Sequence, residues 1–194
     1  MPSAPKIQKE TILETALKIL IRDGYDEVNI KNVAKELNCS TQPISWQFGG
    51  MDNFRKELLQ YCVMLIDARF SVDKENAEQM VDGIVATYID LVYDTPNLYK
   101  YLYMDGGMVN QMGDLTRTMR TGNKGKIIDL LAKELGISIE AAMRYLMNVE
   151  FYVHGIAAYV ASGFIALSKE EAMNMIYTAR EAFRIKELQG VTDT

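Results

Sequence analysis

The chain has 194 residues, is 48% hydrophobic and 24% charged, and carries a net charge of −5. No run of about 18 apolar residues occurs, which excludes a membrane-spanning helix. The acidic balance excludes a nonspecific nucleic-acid coat protein, which is far more basic.

The charge is unevenly spread. Residues 1–58 hold eight Lys and Arg against eight Asp and Glu, so the whole excess of acid lies in the remainder. Lys6, Lys9 and Glu10 precede any apolar stretch. The N-terminus therefore does not read as a secretory signal, and a cytoplasmic protein is expected. Cys39 and Cys62 form no CxxC pair. The lone histidine, His154, provides neither a zinc cluster nor a His-based triad. No GxSxG, phosphate loop or metal spacing occurs, so the reading has no enzyme, no metal and no cofactor.

In chain order, every periodic segment is helical and no strand pattern appears. A first helix is expected from about Lys6 to Arg22, with Leu13, Ala16, Leu17 and Leu20 as its buried stripe and Asp23-Gly24 ending it. Asn29 suits an N-cap for a short second helix whose Ile30, Val33, Ala34 and Leu37 recur at helical spacing. Asn38, Cys39 and Ser40 break that helix, because Asn tolerates a left-handed backbone. Ser40 then reads as the cap of a third helix with Pro43 in its first turn.

In that third helix Ile44 and Phe48 face inward together. Thr41, Gln42, Ser45, Trp46 and Gln47 are left pointing outward. A merely solvated face carries Lys and Glu. Gln instead bonds an adenine edge, Ser and Thr reach bases or phosphates, and an aromatic packs on a sugar or thymine methyl. Two short capped helices joined by a tight turn make a helix-turn-helix. The DNA-facing set is Lys6, Asn29, Lys31, Thr41, Gln42, Pro43, Ser45, Trp46, Gln47 and Arg55.

Residues 7–59 resemble the DNA-binding domain of the TetR family of transcriptional repressors. Gly24 and Tyr25 match that family's Gly-aromatic turn, Asn29-Ile30 replaces its Thr-Ile, and Ile44 to Phe48 matches the end of its recognition helix. Ser45 departs from a phosphate-contacting Tyr and Met51 from a Lys. Arg55 and Lys56, one turn on, offer replacement charge.

Gly49-Gly50 precedes a fourth helix, about Asp52 to Val72, expected to link the DNA-binding part to the rest. A fifth, about Ala77 to Tyr93, is apolar nearly all round and so reads as central. Asp94 to Asn97 breaks it before a Tyr-rich segment, Leu98 to Met104. A helix in pieces follows from about Met108 to Leu135, interrupted at Gly122 to Gly125. Another runs from about Ser138 to Ser162. The last opens with a capping box at Ser168 and Glu171 and ends near Leu188, before a tail after Gly190.

The fold expected is therefore all-α with about nine helices: a helix-turn-helix domain over residues 1–50 and a ligand-binding and dimerisation domain over residues 51–194. An adaptable apolar pocket is read from Tyr88, Tyr99, Tyr103, Met104, Met108, Met112, Phe151 and Tyr152, since Met refits itself and Tyr adds a polar handle. A homodimer interface is read from Tyr145, Val149, Gly155, Ala158, Ser162, Ile176 and Phe183 on the last two helices. The function expected is a regulator of double-stranded operator DNA, a repressor released by a small-molecule effector. The alternative is a small-molecule binding or interaction protein that keeps the helix-turn-helix shape without operator binding.

Overall fold

The computed structural model of the chain describes residues 7–69, 76–104 and 122–192. Among these residues there are nine α-helices, one 3-10 turn and no strand. The helices are α1 (Lys9–Asp23), α2 (Ile30–Glu36), α3 (Gln42–Phe48), α4 (Met51–Arg69), α5 (Ala77–Asp94), α6 (Pro96–Tyr103), α7 (Gly122–Leu135), α8 (Ile139–Ala161) and α9 (Lys169–Thr192). They fall into two compact units. The first holds α1 to α3, α4 as far as Ile66, and α6; the second holds α5 and α7 to α9. The first unit thus extends past residue 50, and α6 returns to it from later in the chain.

In the first unit α1 buries Ile12, Leu13, Ala16, Ile19 and Leu20, while Leu17 is only half-buried. Gly24, at φ 93°, takes a backbone that L side chains rarely adopt and donates its N–H to the Leu20 carbonyl at 3.0 Å. The 3-10 turn Tyr25–Glu27 follows. Asn29 caps α2 as its sequence demands, its side chain accepting from the Asn32 N–H at 2.9 Å.

The turn between α2 and α3 is closed by its own backbone. Cys39 N–H donates to the Ala34 carbonyl and Asn38 N–H to that of Lys35, with Asn38 at φ 50°. That is the double bond of a Schellman ending with Asn in the left-handed position. The cap expected at Ser40 is not found. Thr41 holds the N-cap position of α3 with a helical backbone and no side-chain capping bond. Pro43 has no N–H, so one of the donors a cap would serve is absent. Ile44 and Phe48 are fully buried, and the Phe48 ring meets Phe54 of α4 edge-on at 5.0 Å.

In the second unit α5 packs against α7, α8 and α9. Val81, Ile84, Val85 and Ile89 of α5 meet Ile128, Leu131, Leu146, Val149 and Val153 in one continuous core. The caps here are side-chain ones. Asn76 accepts from Gln79 N–H, and Ser138 from Ala141 N–H. Ser168 and Glu171 exchange bonds in both directions.

Two glycine positions read as a break and an end are helical. Gly122 to Gly125 lie in the first turn of α7, and the stretch before them is outside the described residues. First-turn N–H groups lack intrahelical partners anyway, so glycine costs least there, and burial of Ile127, Ile128 and Leu131 recruits the turn. Gly190 lies inside α9, which runs on to Thr192, because one exposed helical glycine costs only about 1 kcal/mol.

Candidate nucleic-acid interface

The third helix is held by two buried residues on one side and presents the other to solvent. Trp46 is 77% exposed, an unusual place for the largest apolar side chain in the sequence. Thr41 and Gln42 are exposed, and Pro43 and Ser45 are half-exposed beside them. These side chains give a hydroxyl, an amide and an indole on one short helix, the donor and acceptor types that base edges accept.

Two residues of the expected DNA-facing set are already occupied inside the unit. Gln47 donates from Nε2 to the Ile7 carbonyl at 2.8 Å. It ties the end of α3 to the approach to α1, and its side chain is half-exposed. Asn29 uses its oxygen as the α2 cap and its amide on the Glu27 carbonyl at 3.2 Å. Lys31 is exposed on α2. Lys6 lies outside the described residues.

Arg55 is exposed on α4, its guanidinium 5.8 Å from the centre of the Tyr25 ring. Lys56 beside it is exposed as well. Lys9, by contrast, is spent on Glu57 and stands over the Phe48 ring at 5.0 Å. Arg22 is held by Asp23 and Glu36, which push its pKa up further. Among the described residues Lys31, Arg55 and Lys56, on the two helices flanking α3, have no acid partner.

The residues read as a pocket fall into two groups. Tyr99, Tyr103 and Met104 belong to the first unit: Tyr99 is fully buried with its ring 5.2 Å from Tyr103, and Met104 is 41% exposed. Tyr88, Phe151 and Tyr152 belong to the second. Tyr88 meets His154 edge-on at 6.2 Å and Tyr152 meets Phe183 at 6.1 Å, whereas Phe151 is 57% exposed on the outside of α8. Met108 and Met112 lie outside the described residues.

A polar cluster lies on α7 and α8. Glu150 is buried and bonded to Lys124 at 2.7 Å, and its second carboxylate oxygen is buried with no hydrogen-bond partner among the described residues. Burial holds the His154 imidazole below its ordinary pKa, with Glu150 partly opposing.

The residues read as a dimer interface also divide. Tyr145, Val149 and Ile176 are enclosed in the core of their own unit and have no surface to offer a partner. The reason is register: each stands on the α8 or α9 stripe that packs on α5. Gly155, Ala158 and Phe183 are half-exposed and Ser162 is exposed.

Residues 12–58 match the family described as bacterial regulatory proteins, tetR family. Over 179 residues the chain is 16% identical to the biofilm operon icaADBC HTH-type negative transcriptional regulator IcaR of Staphylococcus aureus, covering 91% of this chain and 92% of that protein. Two solved structures share the fold. One is a single-residue variant of TetR from Acinetobacter baumannii AYE in complex with minocycline, with TM-score 0.54 and 14% identity over 97% of this chain and 98% of the other. The second is the Streptomyces coelicolor TetR family protein ActR in complex with (S)-DNPA, with TM-score 0.53 and 13% identity over 96% of this chain and all of that one. Residues 12–58 thus carry a helix-turn-helix that matches the tetR family, and the chain as a whole shares its all-helical fold with two solved proteins of that kind.

Proposed function

We propose that the protein is a homodimeric repressor that holds a palindromic operator through α3 and is released from it by a small apolar or aromatic ligand. The observation that carries this reading is the outward face of α3, with Thr41, Gln42 and a 77% exposed Trp46. Among the described residues no ring contact or hydrogen bond occupies the indole, while a major groove offers it a thymine methyl or a sugar. The repressor sense is supported by the negative regulator IcaR, and the ligand by the complexes of the two structural neighbours.

Dimerisation is supported by an apolar strip on α8 and α9. Phe151, Gly155 and Tyr159 stand four residues apart on one face of α8, and both aromatics are more than half exposed. On α9, Met175 and Ile185 are each more than 40% exposed, with exposed Thr178 and Ala182 between them at helical spacing. A two-fold partner set on these strips covers them and supplies the second recognition helix that a palindrome needs.

Ser45 and Met51, where the resemblance expected Tyr and Lys, favour a second reading in which the shape is kept and operator binding lost. Selection of duplexes from a random-sequence pool by the full chain separates the two. Enrichment of an inverted repeat, with quenching or a shift of Trp46 emission on binding, is expected. A pool that stays unenriched after several rounds at low salt would establish the second reading.

A further inference from the structure

We propose that Tyr101 of α6 is a positioning residue for DNA binding, holding the Arg55 guanidinium through the intervening ring of Tyr25 so that it meets a backbone phosphate. The inference rests on the operator-binding reading above and adds to it which residues set the phosphate contact.

The arrangement begins at the exit of α1. Gly24 turns the chain so that Tyr25 opens the 3-10 turn, where its ring is half-buried. That ring stacks on Tyr101 with centroids 4.7 Å apart and planes inclined by 30°. The Arg55 guanidinium lies 5.8 Å from the same Tyr25 centroid, within the range of attraction between a cation and a ring. The middle ring is thus shared between a buried anchor and an exposed charge.

The anchor cannot drift. Tyr101 is 4% exposed, with Leu98, Tyr99 and Leu102 buried beside it on α6. One turn earlier Asn97 donates to the Ile21 carbonyl at 3.1 Å. That carbonyl is in the last turn of α1, where helical N–H donors run out. Asn97 and Tyr101, four apart, lie on one face of α6, so both grip the same exit of α1.

The charge, in turn, is unspent. Among the described residues no carboxylate pairs with Arg55, whereas Lys9 and Arg22 of the same unit are paired. An attraction to a ring uses the π face of the guanidinium and leaves its in-plane N–H donors for an anion. An exposed Arg otherwise samples many rotamers, and each phosphate contact has to order one of them. Resting the stem and guanidinium on a fixed ring removes part of that loss before DNA arrives.

The test uses full-length protein and the duplex obtained by the selection above, with affinity measured as a function of salt. Arg55→Gln is expected to weaken binding about tenfold and to flatten the slope of log affinity against log salt by about one per subunit. Tyr101→Met, which keeps apolar volume without a flat ring, is expected to weaken binding about three- to tenfold with the same flattening. Tyr101→Phe should bind as the unmodified protein does. The Arg55→Gln/Tyr101→Met double variant should bind no more weakly than Arg55→Gln alone, because both changes remove one contact. If Tyr101→Met melts below the assay temperature, Tyr25→Met at the half-buried middle ring carries the same expectations. An unchanged Arg55→Gln would show that Arg55 touches no phosphate and would overturn the premise. A weakened Arg55→Gln beside a Tyr101→Met of normal slope, or losses that simply add, would overturn the positioning role while leaving operator binding intact.

Discussion

Arg180 joins three helices of the second unit, and its removal has a cost that can be worked from its partners. It is buried on α9, 9% exposed. Its Nε donates to the Tyr145 hydroxyl of α8 at 2.9 Å, and its two terminal nitrogens bond Glu78 and Asp82 of α5. Arg180→Met keeps most of the stem and removes the guanidinium. The Tyr145 side chain is fully buried, so its hydroxyl would lose its partner with no water in reach, at about 1–3 kcal/mol. The two carboxylates differ, being 34% and 43% exposed, and they rehydrate in place. Their loss is therefore that of half-exposed pairs, about 1 kcal/mol together rather than the several of a sealed charge. The expected total is about 3 kcal/mol. Tyr145→Phe alone removes one hydrogen bond and leaves Arg180 its acids, at about 1 kcal/mol. The double variant has no orphaned hydroxyl and should cost about 1–2 kcal/mol less than the sum of the two. Urea unfolding followed by far-ultraviolet dichroism reads this, with Arg180→Met moving the midpoint by about 1 M. A loss below about 1 kcal/mol for Arg180→Met, or two strictly additive losses, would refute the account.

Three further outcomes follow from the same structure. An alanine Cβ at Gly155 meets nothing within 4 Å, so Gly155→Leu should fold as a monomer with slightly raised helicity yet fail to dimerise in sedimentation; an unchanged dimer would place the interface elsewhere. His154 has a folded pKa below its ordinary 6.5, so the unfolded chain takes up the proton first. Its contribution is therefore full above that range and lost as pH falls through it, and thermal midpoints should drop between about pH 7.5 and 5.5, less steeply in His154→Gln. Burial pushes the Cys62 thiol up to about 12 while Cys39 is half-exposed, so a thiol reagent at about pH 8 should label one cysteine in the native protein and two in urea.

What the sequence disclosed was largely what a residue does to its own backbone. The Asn29 cap, the left-handed Asn38 and the Ser168–Glu171 box each depend on atoms within five residues. The inward pair Ile44 and Phe48 was legible for the same reason, since helical spacing alone puts them together. Gln47 was not legible, because the group that claims its amide stands 40 positions earlier. Asn29 was read as a cap, and its side-chain oxygen accepts from the Asn32 N–H as that reading requires. Tyr145 and Ile176 looked like interface because α8 and α9 are apolar on more than one side. Only the placement of α5 decides which stripe is core. The membership of α6 in the first unit had no local signal at all, being settled by Asn97 and Tyr101 reaching back to residues 21 and 25.

The bond from Gln47 to the carbonyl of Ile7 separates two kinds of position on a helix only seven residues long. On the proposed operator-binding reading, positions 41, 42 and 46 are free to vary with the DNA they meet, whereas position 47 also answers to the fold. A lineage of regulators descending from this chain would diverge at the first three while retaining an amide at the fourth. An engineer wishing to retarget the protein should randomise Thr41, Gln42 and Trp46 and leave Gln47 alone, since a library that scrambles all four would lose most of its members to loosened domains before any of them met a new sequence.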